Sequence, residues 1–439
     1  MSERASHNGA HKAARALLDY IDTSPSPWHV VRATCQALRA GGFQPLDEAD
    51  AWALEPGGAY YVVRDGSSVI AFRLGNGFLP EHGWRMIGAH TDSPGFRVKP
   101  QAAHARANLL ALGVEVYGGP ILASFADRDL TLAGRVMVRG GAGIPQTHLV
   151  HFPQPLVRLP NVAIHLNRSV NDEGLKFDRQ EELPLVLAAL GDSLPPQSQF
   201  ERLLADRIEC EPDQILSWGL AVADTQPGAL FGPQEEFMAD SQLDNLACCH
   251  AGLEALLSAP APHGVQLLAL FDHEEIGSET YQGASGNFLE AVSRRIAAAL
   301  RLDAADAQRA MARSWMLSAD MAHALHPNFA RYYEPQHAPA VNGGPAVKIN
   351  ANQRYATNEA GSALFRTLCE REGVPWQTYV HRSNLPCGST IGPMSAARLG
   401  VRTVDVGNPM WAMHSVRESA GTLDHERMIA VMRSFYAGH

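Results

Sequence analysis

The chain contains no apolar run of about 18 residues, the length a membrane-spanning helix needs, so it offers no transmembrane helix. Its N-terminus, MSERASHNGAHKAARALLDYI, mixes charges with small residues and lacks the apolar core of a secretory signal. There is no basic excess. The 36 Lys and Arg stand against 46 Asp and Glu, and the net charge of −10 disfavours nucleic acid or an anionic membrane as a partner. The six cysteines (Cys35, Cys210, Cys248, Cys249, Cys369, Cys387) are scattered without a CxxC, which fits reduced thiols in a cytoplasmic protein. Internal repeats and low-complexity segments are missing as well. What is left is an ordinary globular composition, 46% hydrophobic and 19% charged, in 439 residues, a length that suggests two domains. Histidine is plentiful at 19, which raises the question of metal chemistry without answering it.

Three apolar runs each lead into a metal-type residue. Trp84–Ala89 ends in His90-Thr91-Asp92, Val265–Phe271 in Asp272-His273-Glu274-Glu275, and Trp315–Ala319 in Asp320. Runs of this length, bounded by polar residues and glycine, read as core strands of a parallel sheet. Ligands of open α/β sheets bind at the carboxyl ends of the strands, so the chain is expected to deliver carboxylates and imidazole to one rim.

The spacing predicts helices over 11–40, broken at Pro25-Ser26-Pro27, and a hairpin over 59–75 turning at Asp65-Gly66. From about residue 100 to 232 the texture becomes β-like and rich in glycine and proline: LLALGVEVYGG, DLTLAGRVMVRGG, THLVHF and NVAIHL. Helical stretches are expected there around Leu185–Leu190 and Phe200–Ile208. After Phe231-Gly232-Pro233 an α/β rhythm resumes, with strands near 265–271, 314–320, 376–381 and 401–406 and helices near 244–257, 287–300, 358–372 and 423–436. The expected organisation is a catalytic domain of residues 1–99 and 233–439, interrupted by a β-rich insertion over 100–232.

Each chemical motif also has an ordinary reading. Adjacent glutamates such as Glu274-Glu275 are common on surface turns, yet these follow a strand too apolar to be exposed. In a metal hydrolase one carboxylate of such a pair binds a cation while its neighbour takes a proton from metal-bound water. His90 alone would be a core or loop histidine; Asp92 two positions on can accept from its distal nitrogen and fix the tautomer. Asp244 opens a helix whose stripe is Leu246, Cys249, Leu253, Leu256 and Leu257, and local grounds favour an N-cap, with bridging of two cations also open to it. With Asp320 and with His414 in GNPMWAMHSVRE, the set reaches two histidines and three carboxylates plus a free glutamate. Nitrogen and oxygen donors without thiolate suit zinc, cobalt or manganese at a water-holding site.

These motifs resemble the aspartyl aminopeptidase family of dinuclear metallopeptidases over nearly the whole chain. The resemblance is carried by GAHTDSPGFRVKP (88–100), LPNVAIHLNRSVN (159–171), AVADTQPGALFG (221–232), LDNLACCHAGL (243–253), FDHEEIGSETYQGA (271–284), SADMAHALHPN (318–328), GGPAVKINANQRYAT (343–357), PCGSTIGP (386–393) and AMHSVRE (412–418). His273 and Gln242 depart from the family pattern, and neither is a presumed ligand.

The resemblance implies an α/β fold: a zinc-peptidase-like mixed-sheet catalytic domain with helices on both faces, interrupted by a β-rich oligomerisation domain. It implies two divalent metal ions, with zinc foremost. His90 and Asp320 would hold one, Glu275 and His414 the other, and Asp244 would bridge. Glu274 would be the general base of a metal-bridged hydroxide, and Asp92 would orient His90. Members assemble as homo-oligomeric dodecamers, in which His165 would reach a neighbouring active site. Peptides with acidic N-terminal residues are the implied substrates, met by Lys348 with Tyr355 and His323 nearby; the ordinary reading of Lys348 is a solvated strand lysine. An aminopeptidase for neutral residues, a related amidohydrolase or deacylase, and a non-catalytic assembly protein are the alternatives.

Overall fold

A computed structural model describes residues 2–77, 80–190 and 194–438 of the chain. Its strands form three sheets. The largest has nine strands, in the order β1 (Gln44–Leu46), β2 (Ala59–Arg64), β3 (Ser68–Leu74), β13 (Val265–Phe271), β4 (Trp84–His90), β14 (Trp315–Ala319), β18 (Arg402–Gly407), β16 (Ala346–Ile349) and β17 (Gln377–Val380). An antiparallel six-stranded sheet contains β8 (Pro145–His151), β7 (Leu130–Arg139), β10 (Ile215–Asp224), β5 (Gly95–Arg106), β6 (Leu109–Tyr117) and β9 (Leu185–Ala189). A five-stranded sheet joins β11 (Ala229–Phe231), β12 (Phe237–Asp240), β20 (Glu418–Gly421), β19 (Pro409–Trp411) and β15 (Ala322–His323).

The three strands that run into metal-type residues lie side by side. β4 pairs in parallel with β13 on one side and β14 on the other, and β14 pairs in parallel with β18. Side chains alternate across a strand, so successive residues enter different cores. Ile87, Leu268 and Leu317 join the core under helices Leu243–Ser258, Glu359–Arg371 and Thr422–Ala437, while Met86, Leu267 and Met316 join the core under Phe288–Ala299. Burial on both faces explains why these strands are continuous apolar runs. Helix Leu243–Ser258 is buried nearly all round, beyond the single stripe expected of it.

Two local expectations fail. Leu185–Leu190, expected to be helical, forms strand β9 along β6, because Leu185, Val186 and Leu187 supply apolar residues whichever period is assumed. NVAIHL, expected to be β-like, is an exposed turn. Its Val162, Ile164 and Leu166 are 56%, 46% and 83% exposed, and no strand pairs with it. β5 runs through residue 100, where the texture changes.

Candidate metal centre

The parallel strands place the candidate residues by their ends. His90 is the last residue of β4, Asp320 directly follows β14, and Glu274-Glu275 form a tight turn just beyond β13. Asp244 enters from the start of helix Leu243–Ser258, and His414 from the turn after β19. The cap reading of Asp244 is corrected here: Gln242 takes the N-cap position, and the Asp244 carboxylate caps no helix amide.

The donor atoms converge in groups. His90, Asp244 and Asp320 form one, and Asp244, Glu275 and His414 another, each with its donor atoms within 4.8 Å of one another. Asp244 belongs to both. Its Oδ1 lies 3.5 Å from His90 Nε2, and its Oδ2 lies 3.5 Å from His414 Nε2. His414 Nε2 is also 3.4 Å from Glu275 Oε2. Ligands about 2.1 Å from a tetrahedral cation stand about 3.4 Å apart, so these separations suit donors that share an ion. Glu274 forms a further group with His90 and Glu275 by the same 4.8 Å measure, its Oε2 standing 4.0 Å from His90 Nε2, wider than the spacing of shared ligands.

Both imidazoles are oriented from behind. His90 Nδ1 donates to the Asp92 carbonyl at 3.0 Å, and His414 Nδ1 donates to the Gly119 carbonyl at 3.0 Å. A carbonyl only accepts, so each Nδ1 carries a proton and each Nε2 faces the centre. For His90 the main contact is therefore the Asp92 backbone; the Asp92 carboxylate is 3.4 Å from Nδ1.

That carboxylate has other partners. Its oxygens accept from the amides of Glu274 and Glu275 at 3.1 Å each and from the Tyr117 hydroxyl at 2.7 Å. Glu418 does the same on the far side. Its Oε1 accepts from the His414 amide at 2.6 Å and its Oε2 from the Asp244 amide at 3.0 Å. His414 has φ 71°, an uncommon conformation for a non-glycine residue, and the Glu418 bond holds it there. Two buried carboxylates thus clamp the backbones of four candidate residues. Gly118 (φ 67°) lets the chain after β6 pass close to the turn, since a Cβ there would meet Glu275 Cβ at 3.1 Å.

Glu418, Tyr117 and Gly119 were not singled out from the sequence. The AMHSVRE run contains Glu418, and its place four residues after His414 was the one available signal. Asp405 was missed as well. Buried on β18, it accepts from Ser318 and Thr390 hydroxyls at 2.6 Å and from the Ala356 amide at 2.6 Å, joining β14 to two loops beside the centre.

The charge balance tests the fit of a metal. The carboxylates of Asp92, Asp244, Glu274, Glu275, Asp320 and Glu418 gather beside Lys348 and two imidazoles. Burial, reinforced by Asp320, Asp92 and Asp244, pushes the Glu274 carboxyl up to about 8. Burial, Asp244 and Glu274 likewise push Glu275 well above the carboxylate range. Burial opposes a charged His414, yet Asp244 and Glu275 outweigh it and raise the imidazole to about 10. Asp244 Oδ1 is buried without a hydrogen-bond partner. A dense anionic donor set with an orphaned carboxylate oxygen is what divalent cations satisfy.

Lys348 is not a solvated strand lysine. It is 3% exposed, donates to the Met321 carbonyl at 3.1 Å, lies 3.5 Å from Asp320 Oδ1, and sits over the Tyr355 ring at 5.0 Å. The His323 ring meets Tyr379 edge-on at 5.5 Å. Burial, then Lys348, depresses the His323 imidazole to about 4. His323 also lines a groove with Phe329, Tyr332, Tyr379 and His381. His165 stands apart, exposed in the turn over 164–166.

The profile of the family described as Aminopeptidase I zinc metalloprotease (M18) matches residues 20–436. The chain belongs to the M18 family. It is thus a metallo-aminopeptidase of the family whose motifs it resembles. The probable M18 family aminopeptidase 2 of Stutzerimonas stutzeri is 47% identical over 427 residues, covering 96% of this chain and 97% of its own. Among solved structures, Ape4 in its cryo-EM complex with Nbr1 superposes with a TM-score of 0.95 at 37% identity, covering 98% of this chain and 86% of the other. The S. cerevisiae mApe1 dodecamer gives a TM-score of 0.84 at 28% identity, covering 97% and 96%.

Proposed function

We propose that this M18 chain removes N-terminal residues, acidic ones by preference, from peptides at a two-metal centre bridged by Asp244. One observation carries the reading: the two Asp244 oxygens diverge, each toward its own histidine at 3.5 Å. His90 and Asp320 complete one site, and His414 and Glu275 the other. When bound there, divalent ions, zinc foremost and cobalt or manganese as alternatives, would supply Lewis acidity and lower the pKa of water from about 15.7 to about 7.

The rest is the work of side chains. Glu274, held through its amide by Asp92, takes the proton from the attacking water and passes it to the leaving nitrogen. Asp92 keeps Glu274 and Glu275 in step by binding both amides. Lys348 offers its ammonium to the acidic side chain of the substrate, from a position already tied to Asp320. A second reading, a preference for neutral residues, draws on the aromatic groove of Phe329, Tyr332 and Tyr379 beside His323. The exposed Val162, Ile164 and Leu166 around His165 support a homo-oligomer, a dodecamer like that of mApe1, in which the 100–232 region forms contacts and His165 enters a neighbour's site.

The test is turnover of Asp-, Glu- and Leu-naphthylamides by wild type and Lys348→Ala, with metal content measured in parallel. Acidic preference is expected to collapse at least tenfold relative to Leu. Equal loss on all three would remove Lys348 from specificity. Mass measurement in solution decides the assembly.

A further inference from the structure

The opposite end of the same strands is cationic. Gln266 on β13, Arg85 on β4, Trp315 on β14 and Arg402 on β18 are successive register partners across four parallel strands. Such partners share a face, here the face toward helix Thr422–Ala437. With Arg313, His82 and His263 they line a groove of about 620 Å³. Arg85 lies five residues before His90 on β4, which puts the groove about 17 Å from the metal centre at about 3.3 Å per residue.

The groove is unbalanced in a chain whose net charge is −10. Arg85 is half-buried, and its hydrogen bond is a 3.4 Å contact with the Trp84 carbonyl. Arg402 stacks over Trp315 with its guanidinium 4.4 Å from the ring centre. Among the described residues, no carboxylate forms an ion pair with Arg85, Arg313 or Arg402. Glu81, the one acidic residue lining the groove, is engaged by Arg309 at 2.7 Å and lies within electrostatic reach of Arg313, which leaves Arg85 and Arg402 without an acidic partner among the described residues. Burial, and then Arg402, depresses the Arg85 pKa, as expected of a guanidinium that faces a like charge. A half-buried cation without a counter-ion is costly, and guanidinium forks match tetrahedral oxyanions by paired hydrogen bonds.

We propose that this rim binds a phosphate-class oxyanion between Arg85 and Arg402, with Arg313 closing the third side. The ion sits too far from the reacting atoms to take part in hydrolysis. It neutralises the N-terminal ends of the central strands and stabilises the fold.

The experiment is calorimetric titration of inorganic phosphate into the metal-loaded full chain, at an ionic strength fixed with chloride and without a C-terminal tag, since Gly438 lines the groove. Saturable binding is expected, with a thermal midpoint that rises with phosphate. The Arg85→Gln/Arg402→Gln double variant is expected to weaken the Kd at least tenfold while peptidase turnover stays within about twofold. Glu274→Gln, on the other rim, is expected to leave the Kd unchanged. Arg402→Gln alone, at an exposed position, carries the test if the double variant does not fold, with at least a threefold weakening expected. Absence of saturable binding in the wild type overturns the proposal. So does equal affinity in the arginine variant, which would place the phosphate at the metals.

Discussion

The two ends of the central parallel strands differ more than the strands' two faces do. β4 begins next to Arg85 and ends in His90; β14 begins with Trp315 beneath Arg402 and leads into Asp320. At the carboxyl end anions crowd together and are clamped by further anions, Asp92 and Glu418. At the amino end guanidiniums face an open groove. The faces between are mostly apolar, with Ser318 and Asp405 paired within them. The apolar middle of a strand sets where its ends fall, and the ends carry the chemistry. Each end should therefore be separable from the other by substitution.

Chelation is the most severe way to break the contrast. Removing divalent ions is expected to abolish peptidase activity and to lower the thermal midpoint, because Asp244, Glu275 and Asp320 then repel one another in a buried space. Activity that survives exhaustive chelation, with metal analysis confirming removal, would end the metallopeptidase mechanism for this chain. Glu274→Gln is next. It is expected to lower kcat by about 10²–10⁴-fold with metal content intact; full activity would reassign the proton transfer.

Glu418→Gln probes the clamp. The amide nitrogen of glutamine cannot accept, so either His414 or Asp244 loses its backbone partner. Metal affinity is expected to fall about 10–100-fold in a competition assay. An unchanged affinity would make Glu418 a passive neighbour.

The smallest effect separates the acid sensitivity of the rim from that of the core behind it. His250, on the helix that Asp244 opens, is buried against His425 with Nδ1 and Nε2 2.8 Å apart, and burial depresses it to about 4. A lowered folded pKa means the unfolded chain binds more protons between about pH 6.5 and 4, so stability is present above that window and is lost as pH falls through it. About 3 kcal/mol is at stake at the bottom of the window. Thermal midpoints from pH 7.5 to 5 should fall more shallowly in His250→Gln; an identical slope would remove His250 as a source of acid sensitivity.

His90, Glu274-Glu275 and Asp320 could be placed on one rim because each follows an apolar run long enough to fix its position, as in MIGAH and LLALFDHEE; Asp244 and His414 follow no such run. The clamps could not be placed this way. Glu418 reaches His414 across four residues but Asp244 across 174, and Tyr117 reaches Asp92 across 25; no local pattern records the two longer bonds. Asp244 looked like a cap because composition cannot tell a carboxylate aimed at a helix amide from one that turns to two histidines. Val162, Ile164 and Leu166 alternate like a strand, yet alternation does not say whether the covering surface lies in the same molecule. The amino rim went unread for a related reason. Arg85, Trp315 and Arg402 are far apart in sequence, and strand register is what makes them neighbours.

The bonds from Tyr117 to Asp92 and from Gly119 to His414 make the 95–224 region a poor candidate for excision. A minimal enzyme built by joining the chain across that gap would keep the proposed ligands, yet each half of the centre would lose one of the contacts that aim it. The boundary visible in composition is not a boundary of modularity. Anyone transplanting this hydrolytic core onto another scaffold must carry over the end of β6, or supply a hydroxyl and a carbonyl in its place.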